Sequence, residues 1–320
     1  MAQTVGVDLG RTTITTVVLS EDDEVLGEAQ LRTPTTGDRT GVIEVIGASI
    51  YDAVGAAELT MADLGAVGVG APGVVVDGTV GGASNMPGFL ERFSLAQMVT
   101  EHLQMPVRVT NDGTAGVVAE HRLGAGRGTH DLMCVFVGAG IGAGLIIDDE
   151  VYEGGRGGAG EFGHMVVWRG GAVCPCGRRG CVEAYAGMRA MELTAQRERA
   201  AGRSTVLFEG EDGAVKGPVT SAMLLRAYEQ GDGLVADLLD TAIDALGAGI
   251  ASAVNLLDVD AVVLGGVLGD TFGERFRFRV DAAMRPHLFL HPPRVDLVAA
   301  SLGDRSAAIG AGILAREVLK

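Results

Sequence analysis

Three cysteines and one histidine are the residues of this chain whose types and spacing most directly suggest chemistry. Two glycines lie within the cysteine segment, where they allow the tight turn that brings three thiolates together. One imidazole and three thiolates fill a tetrahedral site typical of structural zinc, and no position remains for the water that a catalytic zinc ion needs. The alternative is a set of free thiols beside a core histidine. The four residues, spaced as His-x9-Cys-x-Cys-x4-Cys, are His164, Cys174, Cys176 and Cys181.

Two glutamates lie beside these candidate metal ligands. Glu161 precedes His164 by three residues within a glycine-rich stretch, and Glu183 follows Cys181 by two. A metal ion that fixes the ligands would also hold both carboxylates in place, and they would form a rigid wall able to bind hydroxyl groups. One nitrogen of His164 would bind the metal, and the other could face a ligand. The alternative interpretation is two glutamates on the protein surface.

Asn111 and Asp112 directly follow an apolar strand pattern, and Gly113 lets the chain turn sharply there. The carboxyl end of a parallel strand is where α/β proteins bind ligands. Asp112 could accept the proton of a hydroxyl group as the oxygen attacks a phosphate. The alternative, which the local sequence alone favours, is an Asx turn that caps a helix beginning near Ala115. A further amide, Asn85, lies in a segment that by itself predicts an ordinary turn.

Composition and charge exclude several classes of function. The 320 residues are 47% hydrophobic and include 50 glycines, which is typical of a folded α/β protein. The net charge is −16 and no run of lysine or arginine forms a basic stripe, so nucleic acid is not an expected partner. We expect the acidity to serve solubility.

Targeting signals are also missing from the sequence. The N-terminus has neither the basic stretch nor the apolar core of a signal peptide. The longest apolar run, residues 134–147, is interrupted by four glycines and is too short to span a bilayer. We therefore expect a cytoplasmic protein that does not engage a membrane. In that compartment clustered cysteines favour a metal site over a disulfide, whereas Cys134, within an apolar strand pattern, is expected to be an inert core residue.

Strand and helix patterns alternate along the chain, which predicts an α/β fold. Residues 5–19 and 132–147 each have the pattern of two apolar strands joined by a short glycine turn, and one such hairpin in each half suggests two related domains. Residues 203–218 are predicted to form a loop. Further strands are predicted at residues 25–32, 64–70, 106–110 and 261–264, and helices at residues 41–57, 94–103, 115–123, 188–201, 235–257 and 306–318.

The common nucleotide-binding motifs do not occur in the sequence. The chain has only two lysines, Lys216 and Lys320, so it has neither the Walker lysine nor the strand lysine of protein kinases. The glycines at 138, 140, 142 and 144 do not open a helix, as a dinucleotide-binding motif requires, because an apolar strand pattern follows them. Phosphates would therefore be held by backbone N–H groups of glycine turns, by hydroxyl groups, by a magnesium ion or by an arginine.

Taken together, these residues resemble the ROK family (repressor, open reading frame, kinase), and within it the bacterial glucokinases, over almost the whole chain. The most specific part of the resemblance is the segment 158–164 followed by the cysteine segment 174–183. Weaker parts are the two glycine hairpins at residues 8–12 and 138–144, the sugar segment 85–89, the pair Asn111-Asp112 and the adenosine segment 264–266.

The resemblance implies an actin-like (ribonuclease H-like) duplicated fold with two lobes and an interdomain cleft. The small N-terminal lobe is expected to cover residues 1–115, with residues 305–320 packing back on it. The large lobe is expected to cover residues 116–304 and to carry the metal site. The implied ligands are a structural Zn2+ ion, a hexose and Mg2+ with ATP, and the implied assembly is a homodimer or homotetramer.

The resemblance also assigns roles to individual residues. It implies Asp112 as the general base. It implies that the sugar is bound by Asn85, Asn111, Asp112, Glu161, His164 and Glu183. It implies that Mg-ATP is bound by Asp8, Gly10, Arg11, Thr12, Gly138, Gly140, Gly142, Gly265 and Gly266.

Three positions depart from the family pattern, all in the phosphate and adenosine segments. Arg11 replaces the second glycine of the first hairpin, Ala139 stands where a threonine hydroxyl is common, and Val267 replaces a glycine. If residue 11 needs a positive φ, an arginine there costs about 1–2 kcal/mol. Its guanidinium could instead bind a phosphate or block the cleft.

The leading hypothesis is an ATP-dependent hexose kinase that converts glucose to glucose 6-phosphate. The rival is a sugar-binding sensor or regulator of the same family that lacks both catalysis and the DNA-binding domain. Repressors of the family carry a winged helix-turn-helix before the first hairpin, whereas Asp8 lies near the start of this chain and no basic recognition helix precedes it. Direct DNA binding is therefore not expected.

Overall fold

The structure, a computed structural model, has the alternating strands and helices that the sequence predicts. It describes residues 3–35, 38–83, 86, 88–210, 213–214 and 217–320. The strands are β1 (Gln3–Leu9), β2 (Thr13–Leu19), β3 (Val25–Arg32), β4 (Leu64–Ala71), β5 (Val74–Val76), β6 (Thr79–Gly81), β7 (Phe93–Ser94), β8 (Val107–Asn111), β9 (Leu132–Val137), β10 (Ile141–Ile147), β11 (Glu150–Val151), β12 (Glu209–Gly210), β13 (Gly213–Ala214), β14 (Ala261–Gly265) and β15 (Asp296–Ala299).

All the predicted helices are present, and the described residues contain three further ones, α4, α6 and α8. None of the helices within the described ranges combines the length and apolarity that crossing a bilayer requires. The helices are α1 (Arg39–Ala56), α2 (Leu95–Leu103), α3 (Asp112–Arg122), α4 (Glu183–Ala186), α5 (Met188–Ala200), α6 (Ser221–Glu229), α7 (Gly233–Leu257), α8 (Val267–Met284) and α9 (Ser306–Ala315).

Contacts within the chain divide it into two compact units. The first unit comprises Met1–Cys134, Gly144–Gly160 and Asp304–Lys320, and the second comprises Val135–Ala143 and Glu161–Gly303. This division differs from the expected boundary at residue 115. The reason is α3, which packs against α9 and β4 within the first unit and so keeps the following residues there.

A five-stranded mixed sheet with the order β3-β2-β1-β4-β8 forms the centre of the first unit. β1 pairs antiparallel with β2 and parallel with β4, and β4 pairs parallel with β8. Successive residues of β1 point to opposite faces, so Val5 and Val7 join a hydrophobic cluster with Ile46 of α1 whereas Gly6 faces α9. The sheet is therefore covered on both faces, which explains why β1, β2 and β4 are almost continuously buried.

Two glycines allow α9 to approach the sheet and α3 at backbone distance. A Cβ atom added to Gly6 would lie 1.8 Å from the carbonyl oxygen of Ala308, and one added to Gly310 would lie 1.7 Å from that of Ala115. Neither position has room for a side chain. The closing helix is thus part of the core of the first unit.

The second five-stranded sheet has the order β11-β10-β9-β14-β15, and the division between the units falls within β9 and β10. The long helix α7 packs against α4, α5, α6 and α8. It begins before the predicted residue 235 because Asp232 caps it. Asp232 Oδ1 accepts hydrogen bonds from the N–H groups of Leu234 and Val235, at 2.9 and 3.1 Å.

Some elements of the second unit differ from the sequence-based expectation. Residues 203–218, predicted as a loop, contain the short antiparallel pair β12–β13. The helix α8 was not predicted, because it follows directly on a glycine pair and its helical geometry is interrupted at Gly273, where φ is 59°. An interrupted helix has no continuous apolar periodicity to detect.

The packing of α9 yields a stability prediction. We expect Gly310→Ala to destabilise the protein by about 2–3 kcal/mol, because the added methyl group meets rigid backbone. Gly55→Ala in α1 is the matched control, since nothing lies within 4 Å of an added Cβ there. Its higher helix propensity should instead stabilise the protein by about 0.5–1 kcal/mol. Urea unfolding measures both free energies, and equal effects would contradict the close approach of α9 to α3.

Candidate active site

The Asn-Asp pair lies where β8 passes directly into α3. Asn111 caps the helix: its Oδ1 accepts hydrogen bonds from the N–H groups of Gly113 and Thr114, at 2.9 and 3.2 Å. Its Nδ2 donates to the carbonyl oxygen of Gly73 at 3.0 Å. The structure thus shows the capping role that the local sequence favours, with the helix beginning earlier than predicted. The Asn111 amide has a second N–H that none of these contacts uses.

Asp112 is the first residue of α3. Its Oδ1 accepts a hydrogen bond from the N–H of Gly113 at 2.8 Å. The N-terminal end of an α-helix carries a partial positive charge and stabilises a carboxylate placed there. The local fold therefore presents an anionic oxygen at the carboxyl end of a parallel strand.

Three aspartates lie close together in the first unit, and we call them the acidic cluster: Asp8, Asp112 and Asp304. The pKa of Asp8 is raised to about 8, chiefly because surrounding protein atoms displace solvent, and further by the negative charges of Asp112 and then Asp304. The Asp8 residue as a whole is only partly buried. Any cation that a ligand brings to this cluster would favour ionised Asp8.

Arg11 lies in the turn between β1 and β2, and its φ is not in the left-handed region. The backbone strain expected for an arginine at positive φ is therefore absent. The turn is fastened to Thr33, whose Oγ1 donates to Gly10 O at 2.7 Å and whose N–H donates to Thr12 O at 3.0 Å. Within the described part of the chain, Arg11 Nε is buried and has no hydrogen-bond partner. A buried donor without a partner is costly, and a ligand oxygen that reached it would remove that cost.

The three cysteines and the histidine come together as predicted, and we call them the Cys3His cluster. One ligand atom from each residue lies within 4.8 Å of the others. Cys174 Sγ is 3.7 Å from His164 Nδ1, and Cys176 Sγ is 3.8 Å from Cys181 Sγ. Burial raises the pKa of Cys174 and of Cys181, so a bound cation would be needed to favour their thiolate forms. The donor set fits a zinc ion.

The backbone of the cysteine segment forms a knuckle that depends on glycine. Gly177 and Gly180 have φ values of 85° and 80°, in the left-handed region that glycine adopts at little cost. The N–H of Cys174 donates to Arg178 O at 2.8 Å, and the N–H of Gly177 donates back to Cys174 O at 3.0 Å. This turn brings the second and third cysteines back beside the first.

Glu161 and His164 are neighbours on a 3-10 turn that spans Phe162–His164. His164 Nε2 lies 3.8 Å from Glu161 Oε2. Since Nδ1 faces Cys174, the two ring nitrogens have separate neighbours. This is the arrangement predicted for a histidine that binds a metal through one nitrogen and faces elsewhere with the other.

Glu183 contacts the glycine turn between β9 and β10, which the sequence did not anticipate. Its Oε2 accepts a hydrogen bond from the N–H of Ile141 at 2.8 Å, and its Oε1 lies 3.9 Å from Cys174 Sγ. The turn is closed by the N–H of Gly138, which donates to Gly140 O at 2.9 Å. The carboxylate thus touches both the turn and the Cys3His cluster. No local pattern signals this contact, because the two partners are 42 residues apart.

The remaining predicted residues lie in strands and turns. Gly142 is part of β10, and Gly265 ends β14. Gly266 has a φ of 86° and precedes α8, whose first residue is Val267. The left-handed residue is therefore Gly266, and the valine occupies a helical position that does not require glycine. Asn85, predicted as a sugar ligand, lies outside the described residues.

The predicted polar site residues that the structure brings together thus form two sets, one in each unit. In the first unit Asp8 and Asp112 are close, and they are joined by Asp304, which sequence reasoning missed. A signal for it existed, since Asp304 follows a glycine just before a predicted helix. In the second unit Glu161 and Glu183 both border the Cys3His cluster.

The raised pKa of Asp8 predicts a pH-dependent stability difference from the Asp8→Asn variant. An acid whose pKa is higher in the folded protein contributes stability that is complete below about pH 4 and is lost as the pH rises through about 8. We therefore expect the stability of the unmodified protein, relative to the variant, to fall between about pH 4 and 8. Guanidinium unfolding at several pH values measures this difference.

Asp304→Asn provides the second arm of this test. It removes the weaker of the two charges that raise the pKa of Asp8, so the fall with pH should become smaller but persist. A difference between the protein and Asp8→Asn that is the same at every pH would contradict the crowding of these carboxyls.

Comparison with known proteins places this fold in a family. The model of the ROK family matches residues 4–318. A glucokinase of Streptomyces coelicolor is 32% identical over 323 residues, which cover 99% of this chain and 98% of that protein. A putative xylose repressor of Caldicellulosiruptor sp. is 30% identical over 316 residues, which cover 96% of this chain and 76% of the repressor.

The solved structures give the same result. The crystal structure of a ROK family glucokinase from Streptomyces griseus, in complex with glucose and AMPPNP, matches with a TM-score of 0.85 and 34% identity over 98% of this chain and 99% of that chain. This chain therefore belongs to the ROK family and has the actin-like, two-lobed fold of the family's sugar kinases.

Proposed function

We propose that this chain transfers the γ-phosphoryl group of ATP to glucose and forms glucose 6-phosphate and ADP. An ATP-dependent hexose kinase is the activity that the relatives support, because named glucokinases match nearly the whole chain and a similar solved structure is a complex with glucose and AMPPNP. The observation on this chain that carries the proposal is the position of Asp112, at the end of β8 and close to Asp8. A general base beside a phosphate-binding hairpin is what the reaction requires.

Asp112 is the general base of the proposed reaction. Its carboxylate accepts the proton of the 6-hydroxyl group while the hydroxyl oxygen forms its bond to the γ-phosphorus. The bond between that phosphorus and the β–γ bridging oxygen breaks, and ADP leaves with the electron pair. The N-terminal end of α3 stabilises the carboxylate before the transfer.

The sugar is held by amide, imidazole and carboxylate side chains in this proposal. The unused N–H of the Asn111 amide supports one such contact, and the separate surroundings of the two His164 nitrogens support another. Glutamates beside a metal-braced histidine would keep a fixed geometry toward hydroxyl groups. The proposed sugar-binding residues are Asn85, Asn111, Asp112, Glu161, His164 and Glu183.

The phosphoryl donor is held by glycine turns and by Arg11. Magnesium bound with ATP neutralises charge on the phosphates. The buried Arg11 Nε, which has no partner among the described residues, supports a contact to a phosphate oxygen. The proposed donor-binding residues are Asp8, Gly10, Arg11, Thr12, Gly138, Gly140, Gly142, Gly265 and Gly266.

The decisive test of the function is a coupled assay of purified protein with glucose and Mg-ATP, extended to a panel of hexoses. We expect glucose-dependent release of ADP. Glucose binding without ADP release would contradict the kinase and favour the sugar-binding sensor. The homodimer or homotetramer that the resemblance implies stays a prediction.

Replacement of the proposed base gives a sharper expectation. Asp112→Asn should lower kcat by roughly 10²–10⁴-fold, which is the usual contribution of a general base. The asparagine keeps an oxygen that can accept the Gly113 N–H, so the KM for glucose should change only a few-fold. Asp52→Asn on the exposed face of α1 is the control and should leave kcat unchanged. Near-normal turnover of Asp112→Asn would refute the assignment.

We also propose that the Cys3His cluster binds a structural zinc ion. Four donor atoms within 4.8 Å of one another, three from thiols and one from an imidazole, support this proposal. The purified protein should contain about one zinc ion per chain. Cys176→Ser should lose most of the metal and melt at a lower temperature, because binding of a structural ion stabilises the folded chain.

Cys134→Ala is the matched control for this test. It removes a buried thiol that lies outside the cluster, so metal content should stay the same even if the melting temperature falls. Full zinc content in Cys176→Ser, measured by plasma emission spectroscopy, would show that the cluster is not the binding site.

A further inference from the structure

We propose that Glu183 is a positioning residue that connects the Cys3His cluster to the glycine turn at residues 138–140, so that metal binding at the cluster holds this turn in one conformation. The use of that turn by a phosphoryl donor rests on the proposed function. The connection itself does not, because it is a property of the second unit alone. It gives Glu183 a role in donor binding in addition to its proposed contact with the sugar.

The contact between the carboxylate and the turn is short and specific. Glu183 Oε2 accepts the N–H of Ile141 at 2.8 Å, a charge-assisted hydrogen bond from a side chain to the backbone. The carboxylate also fills the space beside Gly140, since an added Cβ there would lie 2.5 Å from Glu183 Oε2. The absent side chain of Gly140 is therefore what lets the carboxylate reach the backbone.

The same segment holds the rest of the turn through its backbone. The N–H of Met188 donates to Gly138 O at 3.0 Å, and the N–H of Arg189 donates to Ala139 O at 3.2 Å. The start of α5 therefore holds the carbonyl groups of Gly138 and Ala139. The turn is held from one side by residues 183–189. Two of these hydrogen bonds join backbone to backbone, and the third is made by the Glu183 side chain.

The other end of the connection lies in the cysteine knuckle. The N–H of Ala184 donates to Cys181 O at 3.0 Å, and the N–H of Val182 donates to Met165 O, also at 3.0 Å. Cys181 is fully buried, and Glu183 follows it at the first residue of α4. Few backbone torsions separate the metal ligand from the carboxylate. A displacement of the backbone at Cys181 is therefore passed on to Glu183.

These contacts predict what loss of the metal does. Without a common ion, the four ligand side chains lose the bond that unites them and the knuckle gains freedom. The carboxylate then releases the Ile141 N–H for part of the time, and the turn samples other conformations. A phosphate that binds to backbone N–H groups of the turn would first have to restore its geometry, which weakens donor binding.

Amide hydrogen exchange at Ile141 measures the connection directly and needs no enzyme activity. Glu183→Ala removes the acceptor, so exchange of the Ile141 N–H should become about tenfold faster or more. Glu183→Gln keeps a side-chain oxygen in the same place and should recover most of the protection. NMR of the isotope-labelled protein resolves this single amide.

The turn itself offers a matched pair of variants in which neither the metal ligands nor Glu183 is substituted. Gly140→Ala pushes the carboxylate away and should speed exchange at Ile141, as Glu183→Ala does. Gly138→Ala adds the same methyl group where the nearest atom is Gly140 O at 3.9 Å, so protection of the Ile141 N–H should persist. Equal exchange in these two variants would count against the proposal.

Chelation tests the link to the metal. Removal of the metal from the unmodified protein should speed exchange at Ile141, and readdition of zinc should restore it. The same treatment should have no further effect at Ile141 in Glu183→Ala, because the connection is already cut. A protein that holds no metal, or an Ile141 amide that ignores metal release, would overturn the proposal.

Kinetics supply the readout for the role in donor binding. Glu183→Ala should raise the KM for ATP, and Glu183→Gln should restore it to near the value of the unmodified protein. Both variants can change the KM for glucose, because Glu183 is also a proposed sugar ligand. The difference between the two variants in the KM for ATP is therefore the readout. Unchanged KM for ATP in Glu183→Ala would refute the role in donor binding. If the exchange results hold while the protein has no kinase activity, the proposed function fails and the connection stands.

Discussion

Three thiols and an imidazole within 4.8 Å of one another form the constraint on which the polar residues of the second unit depend. Thiolates at this distance repel one another, so the arrangement requires a cation or bound protons. A metal ion binds all four donor atoms at once and so holds the side chains together. Protons neutralise the thiolates one by one and leave the four side chains unconnected. Because Glu161 and Glu183 both border the cluster, the same constraint orders the carboxylates.

The first unit concentrates charge in a different way. Burial raises the pKa of Asp8 to about 8, and the negative charges of Asp112 and then Asp304 add to this effect. Like charges brought together at strand and helix ends are costly in the free protein and favourable once a ligand supplies the opposite charge. Such groups mark functional sites more often than structural ones. Arg11, with a buried Nε that has no partner among the described residues, adds a donor of the opposite sign to the same unit.

The predicted and observed secondary structure agree where interactions between residues close in sequence determine the element. β3 has the predicted bounds, because the alternation of buried and exposed residues along a strand can be detected without knowing its partner strands. β4 ends within one residue of its predicted end. The start of α3 was predicted too late, since the capping role of Asn111 draws Asp112 into the helix. The helix α8 was missed because Gly273 interrupts its geometry and hence its periodicity.

The sequence by itself predicted the four residues that meet in the Cys3His cluster and the position of Asp112 where β8 ends. Those residues are close along the chain, so spacing and local turn chemistry are sufficient to bring them together. Only the tertiary structure decided that Arg11 escapes a strained backbone, that Asp304 joins Asp8, and that Glu183 binds the Ile141 N–H. Contacts of this kind join residues far apart in sequence, and their geometry depends on how sheets and helices pack, which no local pattern encodes.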